Sequence, residues 1–228
     1  MRAVAVPSEL EAKLLAEEAD LRALARRRRL GPYRLLRRAA VRLHSLYLDT
    51  ADLQLVRHRV ALRVRQCAGE WEATAKWAGQ RRGAVHERPE LTVSLTPPPE
   101  IPFVLPAGPL RRRLQPLVGR QPLAPMLITD IRRRRLHLLA ADAAAGAPPL
   151  AELALDRVHL RIPGDPCRTA RYCEIEIERL HGTRRDIVRV ARLLRQAYGL
   201  APSRDSKFAR GLALRRNTRA SRRTARRR

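Results

Sequence analysis

The chain has 228 residues, of which 45% are hydrophobic, so it is long enough to bury the core of one large domain or two small ones. Its 48 Lys and Arg residues against 22 Asp and Glu residues give a formal charge of +26, which predicts attraction to polyanions. Because no apolar run approaches the ~20 residues of a membrane span and the three cysteines lack zinc-site spacing, we expect a cytoplasmic protein without a membrane partner.

The first segment fits two kinds of secondary structure. As a helix, it begins with Ser8 and Glu11 in the positions of a capping box. As a strand, it places Glu9, Glu11 and Lys13 on one face, because side chains alternate along an extended chain. We predict a short strand followed by a helix over about residues 17–29.

Several central segments alternate between apolar and basic or polar residues. In one of them Arg63 and Arg65 share a face, and a turn at Ala68-Gly69 predicts a hairpin to a strand that places Thr74 beside Lys76. Further strands are predicted over residues 41–50, 90–95, 126–138 and 150–156. In the third of these, the four consecutive arginines are divided two and two between the faces.

An acidic strand follows, in which Glu174, Glu176 and Glu178 share one face and Cys173, Ile175 and Ile177 share the other. For this segment alone, an antiparallel strand with its carboxylates in solvent is the simpler interpretation. Other predicted strands, however, carry arginine and lysine on their polar faces. Opposite charges on facing strands indicate a barrel with a polar lumen.

Two helices and a basic tail complete the predicted elements. Apolar residues at helical spacing predict helices over about residues 110–118 and 183–198, the second ending at Gly199. The arginine-rich segment 215–228 is predicted to be a disordered tail that binds polyanions weakly. We therefore predict one domain over residues 1–214, followed by this tail.

Nine short blocks occur in an order that resembles the CYTH family, the triphosphate tunnel metalloenzymes, and most closely its bacterial inorganic triphosphatases. The blocks are Glu9-x-Glu11-x-Lys13, Tyr47-x-Asp49-Thr50, Arg63-x-Arg65, Thr74-x-Lys76, Arg88-Pro89-Glu90, Thr129-Asp130 with Arg133, Leu153-Ala154-Leu155-Asp156, Glu174-x-Glu176-x-Glu178 and Ser206-Lys207-x-x-Arg210-Gly211. The resemblance implies an α+β fold in which an eight-stranded antiparallel β-barrel, or tunnel, has a charged polar lumen and flanking helices. The resemblance also favours a strand rather than a helix for the segment that begins at Ser8. One departure is Leu136, where relatives often have tryptophan.

The resemblance also implies a site that combines cations with carboxylates. The predicted catalytic residues are Lys13, Arg63, Arg65, Lys76, Arg133 and Lys207, and the predicted substrate-binding set adds Arg135 and Arg210. The predicted metal ligands are Glu9, Glu11, Glu174 and Glu176, with Glu90, Asp156 and Glu178 as supporting groups. Carboxylates beside a polyanion repel it unless a hard divalent cation lies between them, so we expect Mg²⁺ or Mn²⁺ as the cofactor.

The predicted activity is hydrolysis of a triphosphate-containing small molecule, with inorganic triphosphate as the first choice. An adenylate cyclase and a thiamine or nucleoside triphosphatase of the same fold are alternatives, because a tunnel of this kind recognises the triphosphate. A non-catalytic protein that binds polyphosphate or nucleic acid is the alternative from another class. We expect a monomer or a homodimer.

Overall fold

The computed structural model describes residues 7–225, with side chains described for residues 7–216. Within that span the strands are β1 (Ser8–Ala16), β2 (Arg29–Leu30), β3 (Tyr33–Asp49), β4 (Ala61–Cys67), β5 (Glu70–Lys76), β6 (Gln80–Arg82), β7 (Val85–Leu95), β8 (Ala124–Ala140), β9 (Ala151–Ile162) and β10 (Asp165–Arg179). The helices are α1 (Glu18–Arg26), α2 (Gln54–Arg57), α3 (Pro109–Val118), α4 (Arg184–Tyr198) and α5 (Lys207–Ala225).

Eight of these strands form one closed antiparallel ring. Its order is β1-β10-β9-β8-β3-β4-β5-β7, and a second pairing of β1 with β7 completes the circuit. The short strands β2 and β6 pair with β3 and β7 outside this ring. Closure leaves no unpaired edge among the eight strands and encloses a lumen, so the predicted eight-stranded tunnel is confirmed.

Alternation along β1 and β10 separates the lumen from the outer core. Their register pairs Glu11 with Glu178 and Lys13 with Glu176, so these charged side chains share the inner face. On the outer face, Leu14 and the residues beside it pack with α1 and α4 in one apolar core. The N-terminal segment is therefore a strand followed by a helix, as predicted.

Two further apolar clusters hold the other helices. Leu48 and Leu62 on the outer face of the sheet pack beneath α2 and α3. A third cluster brings Leu127 of β8 together with Phe208 and Leu212 of α5. Helix α5 is therefore anchored to the sheet by its first turns.

Two parts of the chain differ from the prediction. Strand β3 begins at Tyr33 rather than near residue 41, because it pairs with β8 along its whole length, around an irregularity between Arg38 and Val41 that interrupts the alternation. Helix α5 continues to Ala225, so residues 215–225 are helical rather than disordered, consistent with the high helix propensity of arginine and alanine.

Residues 226–228 lie outside the described residues. The boundary between the domain and a separate tail stays a prediction, as does weak polyanion binding by residues 215–228. No helix in the described part of the chain combines the length and the apolar character needed to cross a membrane.

Close packing at Gly211 sets the position of α5 against the sheet. A methyl group at this position would overlap the side chain of Leu127. We expect Gly211→Ala to lower the free energy of unfolding by about 1–3 kcal/mol, although alanine favours a helix by about 1 kcal/mol over glycine. Urea denaturation of both proteins measures this difference.

The control for this substitution is the same change in a Leu127→Ala background, where the overlapping atoms are absent. There the additional loss from Gly211→Ala should shrink or vanish. If Gly211→Ala lowered the free energy of unfolding equally in both backgrounds, the overlap with the Leu127 side chain could not be its cause.

Candidate active site

The lumen contains a cavity of about 240 Å³ lined almost entirely by charged and polar side chains. Strands from opposite sides of the ring contribute these side chains, because alternate residues of every strand point inward. Of the residues predicted from the sequence, those that line it are Glu9, Glu11, Lys13, Arg63, Arg65, Lys76, Glu90, Arg133, Glu176, Glu178 and Lys207.

Glu176 is the centre of the ionic contacts in this cavity. One of its oxygens accepts hydrogen bonds from Lys13 Nζ at 2.8 Å and from Lys207 Nζ at 2.9 Å. The other accepts a hydrogen bond from Arg133 Nη2 at 2.7 Å. Burial would raise the pKa of Glu176, but Lys13 and Lys207 hold this pKa well below its usual range.

Asp156 and Glu174 lie behind this contact and are fully buried. Asp156 accepts two hydrogen bonds of 2.7 Å from Arg133, and Lys207 Nζ lies 3.0 Å from the same carboxylate. Lys207 also contacts Glu174, whose pKa is raised by burial. Ligand oxygens of Asp156, Glu174 and Glu176 lie within 4.8 Å of one another, and the Lys207 ammonium contacts all three and offsets part of their charge.

A second group of ion pairs lines the side of the cavity formed by β1, β5 and β7. Lys76 Nζ lies 2.6 Å from Glu9 and 2.7 Å from Glu90. Arg88 contacts Glu9 at 3.3 Å and Glu11 at 2.8 Å. On this side of the lumen, cations and carboxylates therefore largely neutralise each other.

The wall formed by β4 differs, because its two arginines are partly buried without full compensation. Arg65 Nε donates to Ser45 Oγ at 3.1 Å, and burial and then the neighbouring Arg63 lower the pKa of Arg65 to about 10. The nearest carboxylate oxygen to Arg63 is that of Glu72 at 3.4 Å, and its buried Nε has no hydrogen-bond partner among the described residues. An anion in the cavity would supply the missing acceptors.

Glu178 is the complementary case, a carboxylate without a contacting cation. Its side chain makes no hydrogen bond or ion pair with any described residue, although Lys76 acts on it from a greater distance. Burial, with further contributions from Glu9 and Glu176, raises the pKa of Glu178 to about 7. Because three carboxylates act on Glu178 against the single cation Lys76, a cation that binds oxygen would relieve the remaining repulsion.

Two predicted substrate-binding residues do not line the cavity. Arg135 shares the inner face of β8 but forms an ion pair with Glu152 at 2.8 Å. The guanidinium of Arg210 lies 4.7 Å from the centre of the Tyr172 ring and donates to Ser203 Oγ. Both side chains therefore already have partners outside the cavity.

The cavity also contains functional groups that were left out of the predicted set. Arg88 was part of a recognised block, and its place two residues before Glu90 on β7 was the signal that could have identified it. Tyr47 lies in the cavity with its ring 5.3 Å from that of Phe208, and the cations around it, Arg63 first, lower its pKa despite burial. Tyr47 lies two residues after the inward-facing Ser45 on β3, and this spacing could have predicted that Tyr47 faces inward.

A closed antiparallel sheet with a lumen of facing cations and carboxylates defines a class of tunnel proteins. The model of the CYTH domain matches residues 8–212, and the chain therefore belongs to the CYTH family. This match covers all the strands described above and the start of α5.

Three solved structures have the same fold. One is a putative adenylyl cyclase, HpAC1, from Hippeastrum, described as having a dominant triphosphatase activity (TM-score 0.61, 20% identity, 90% of this chain and 95% of that chain). A putative adenylate cyclase from Bacillus halodurans has a TM-score of 0.57 and 19% identity over 89% of this chain and 96% of that chain. The PH1819 protein from Pyrococcus horikoshii has a TM-score of 0.54 and 18% identity over 90% and 98%.

The buried pairing of Asp156 with Arg133 and Lys207 predicts a large loss of stability when its charge is removed. We expect Asp156→Asn to lower the free energy of unfolding by about 3–5 kcal/mol, because it leaves two buried cations with fewer partners. Urea denaturation measures the loss. Glu72→Gln is the matched control, since this carboxylate is 37% exposed and its removal should change stability by less than about 1 kcal/mol. Equal losses of stability from the two substitutions would show that the buried contacts of Asp156 contribute no more than an exposed ion pair.

Proposed function

We propose that the chain hydrolyses a triphosphate in its lumen with the help of a divalent cation. The observation that carries this proposal is the cavity in which the partly buried, incompletely paired Arg63 and Arg65 occur together with Glu178, whose side chain has no ion pair. A site for a polyanion alone would gain nothing from unpaired carboxylates, and a site for a cation alone would gain nothing from unpaired arginines. The triphosphatase activity described for HpAC1 supports the same choice.

The arginines and lysines of the cavity have distinct roles in this proposal. Arg63 and Arg65 present planar guanidinium groups that bind two phosphate oxygens at once, whereas Lys76 and Lys13 act as point charges. Arg133 lines the cavity and is fixed by Asp156 through two hydrogen bonds, and its Nη1 remains available to a phosphate oxygen. Positioned cations of this kind stabilise the charge on the phosphoryl group during transfer.

The carboxylates of β1 and β10 fit a hard divalent cation, Mg²⁺ or Mn²⁺. Glu9, Glu11, Glu176 and Glu178 offer oxygen ligands only, and the repulsion at Glu178 is the kind that such a cation relieves. When bound, the cation supplies positive charge to the phosphate oxygens and makes water a stronger nucleophile. Asp156 and Glu174 lie behind this group and hold Lys207 and Arg133, a positioning role.

The size of the cavity supports inorganic triphosphate as the substrate. At about 240 Å³ it is smaller than the ~300 Å³ at which sites for drug-sized ligands begin. Its lining has few apolar groups for a base or a thiazole ring. A nucleoside or thiamine attached to the triphosphate would have to lie outside the charged part of the lumen.

Phosphate release from a panel of substrates tests the proposal. Purified protein is mixed with inorganic triphosphate, ATP, GTP or thiamine triphosphate, each with Mg²⁺, Mn²⁺ or EDTA, and cyclic AMP is measured in parallel. We expect the highest kcat/KM for inorganic triphosphate and no turnover with EDTA. Release from none of these substrates with either metal would reject the proposal, whereas cyclic AMP as the main product would favour a cyclase.

Glu178→Gln separates the chemistry of the site from its stability. Because Glu178 has no ion pair to lose, the isosteric amide should leave the fold intact while it removes one ligand charge. We expect turnover to fall by about 10²-fold or more, by analogy with the loss of one preorganised electrostatic group. Steady-state kinetics over a metal titration measures the change.

The control for this variant is Glu87→Gln, since Glu87 is 43% exposed and pairs with Arg184 outside the cavity. Its turnover and metal dependence should match those of the wild type. Near wild-type turnover of Glu178→Gln at limiting metal would show that Glu178 has no part in cation binding.

A further inference from the structure

A groove of about 920 Å³ lies on the outer face of β3, β8, β9 and β10. Arg42, Arg132 and Arg157 line it, together with the adjacent apolar residues Leu43, Ile131 and Val158. On β8, Arg132 lines the groove, whereas Arg133 contributes its guanidinium to the lumen cavity. The groove and the lumen cavity share no lining residue, so they are two distinct sites.

Three arginines cross the groove side by side. The strand register pairs Arg42 of β3 with Arg132 of β8, and Arg132 with Arg157 of β9. Residues opposite each other on antiparallel strands have Cβ atoms about 5 Å apart, and like charges in such positions are destabilising. An unfavourable row of three guanidinium groups is best explained by an external anion that it binds.

The carboxylates in the groove compensate only Arg157 of this row. Glu18 is engaged by Arg157 through two hydrogen bonds. Asp130 accepts hydrogen bonds from His44 Nδ1 at 2.7 Å and from Arg161 at 2.6 Å.

The remaining cations of the groove are free to bind an anion. Arg42 and Arg132, together with Arg171 at the side of the groove, form no ion pair or hydrogen bond within the part of the chain that the structure describes. Both Arg42 and Arg132 are exposed to solvent. The groove therefore presents several uncompensated guanidinium groups on one open surface.

We propose that this groove binds the phosphate backbone of duplex nucleic acid without reading its sequence. Arginine forks bind phosphate oxygens in pairs, and neutralisation of successive phosphates is the main source of non-specific affinity for a duplex. A single strand is the poorer fit, because such sites stack bases on aromatic rings. Among the described residues, Tyr172 is the one Phe, Tyr or Trp that lines the groove, and Arg210 already covers its ring. The rings of His44 and His159 are engaged by Asp130 and Thr169.

The test compares two double variants of the full chain that remove equal charge. Arg42→Gln/Arg132→Gln changes the groove, and Arg185→Gln/Arg192→Gln changes two exposed arginines of α4 on another face. The probe is a fluorescent DNA duplex with 5′-hydroxyl ends, which offers the lumen no triphosphate. Its Kd is measured by anisotropy over a salt series, and thermal unfolding confirms that both variants fold.

We expect the groove variant to weaken binding by about tenfold at fixed salt. The slope of log K against log salt should fall in magnitude by about 1–2, because each lost phosphate contact removes about 0.9. The control variant should change the Kd by less than about twofold, since it lacks a direct phosphate contact.

Three outcomes would overturn the proposal. The first is equal weakening by the two variants, which would mean that only net charge matters. The second is the absence of duplex binding by the wild type. The third is a groove variant that loses affinity for long-chain inorganic polyphosphate or a single strand while its affinity for the duplex is unchanged, which would assign another occupant.

Discussion

The ionic contacts around Glu176 are the interaction on which both the closed sheet and the site depend. This carboxylate on β10 holds Lys13 of β1, Arg133 of β8 and Lys207 of α5, so a single residue joins three elements across the lumen. Burying an unpaired charge costs several kcal/mol, and removal of one partner leaves the others exposed to that cost. The tunnel can therefore hold so many charges only because most of them neutralise each other.

The charges in the lumen are not neutralised equally on all sides, and the unpaired groups determine which ligands the cavity can bind. On the side of β1 and β10, lysines and arginines saturate most carboxylates, whereas Arg63 and Arg65 on β4 face the lumen with too few acceptors. A triphosphate on the arginine wall and a divalent cation beside Glu178 would each complete a set of contacts that the protein leaves open. In that state Lys13 and Lys207 would exchange carboxylate partners for phosphate oxygens, a change that needs only side-chain movement because both residues already lie in the cavity.

Local alternation was enough to predict which residues of each strand face the lumen, and the order of short blocks was enough to predict the family. The partners of these residues were not predictable in the same way, because each ion pair joins strands far apart in the chain. Arg135 and Arg210 illustrate the limit: alternation or motif position pointed to substrate binding, but Glu152 and Tyr172 engage them instead. Arg88 is the reverse case, because it lines the cavity but was not predicted to do so. Its spacing of two residues from Glu90 placed it on the same strand face, but its contacts with Glu9 and Glu11 across the β1–β7 pairing could not be predicted.

The arginine run of β8 shows how register gives two functions to one segment. Arg132 and Arg134 point outward, and Arg133 and Arg135 point toward the inner face, so a shift of one residue would exchange the two pairs. The apolar residues that follow on β8 oppose this shift, because it would move Leu136 and Leu138 out of the outer apolar core, whereas the observed register sets Arg133 opposite Asp156. The same pairing places Arg132 between Arg42 and Arg157. A single register thus sets both the inner contact of Arg133 and the outer row of arginines.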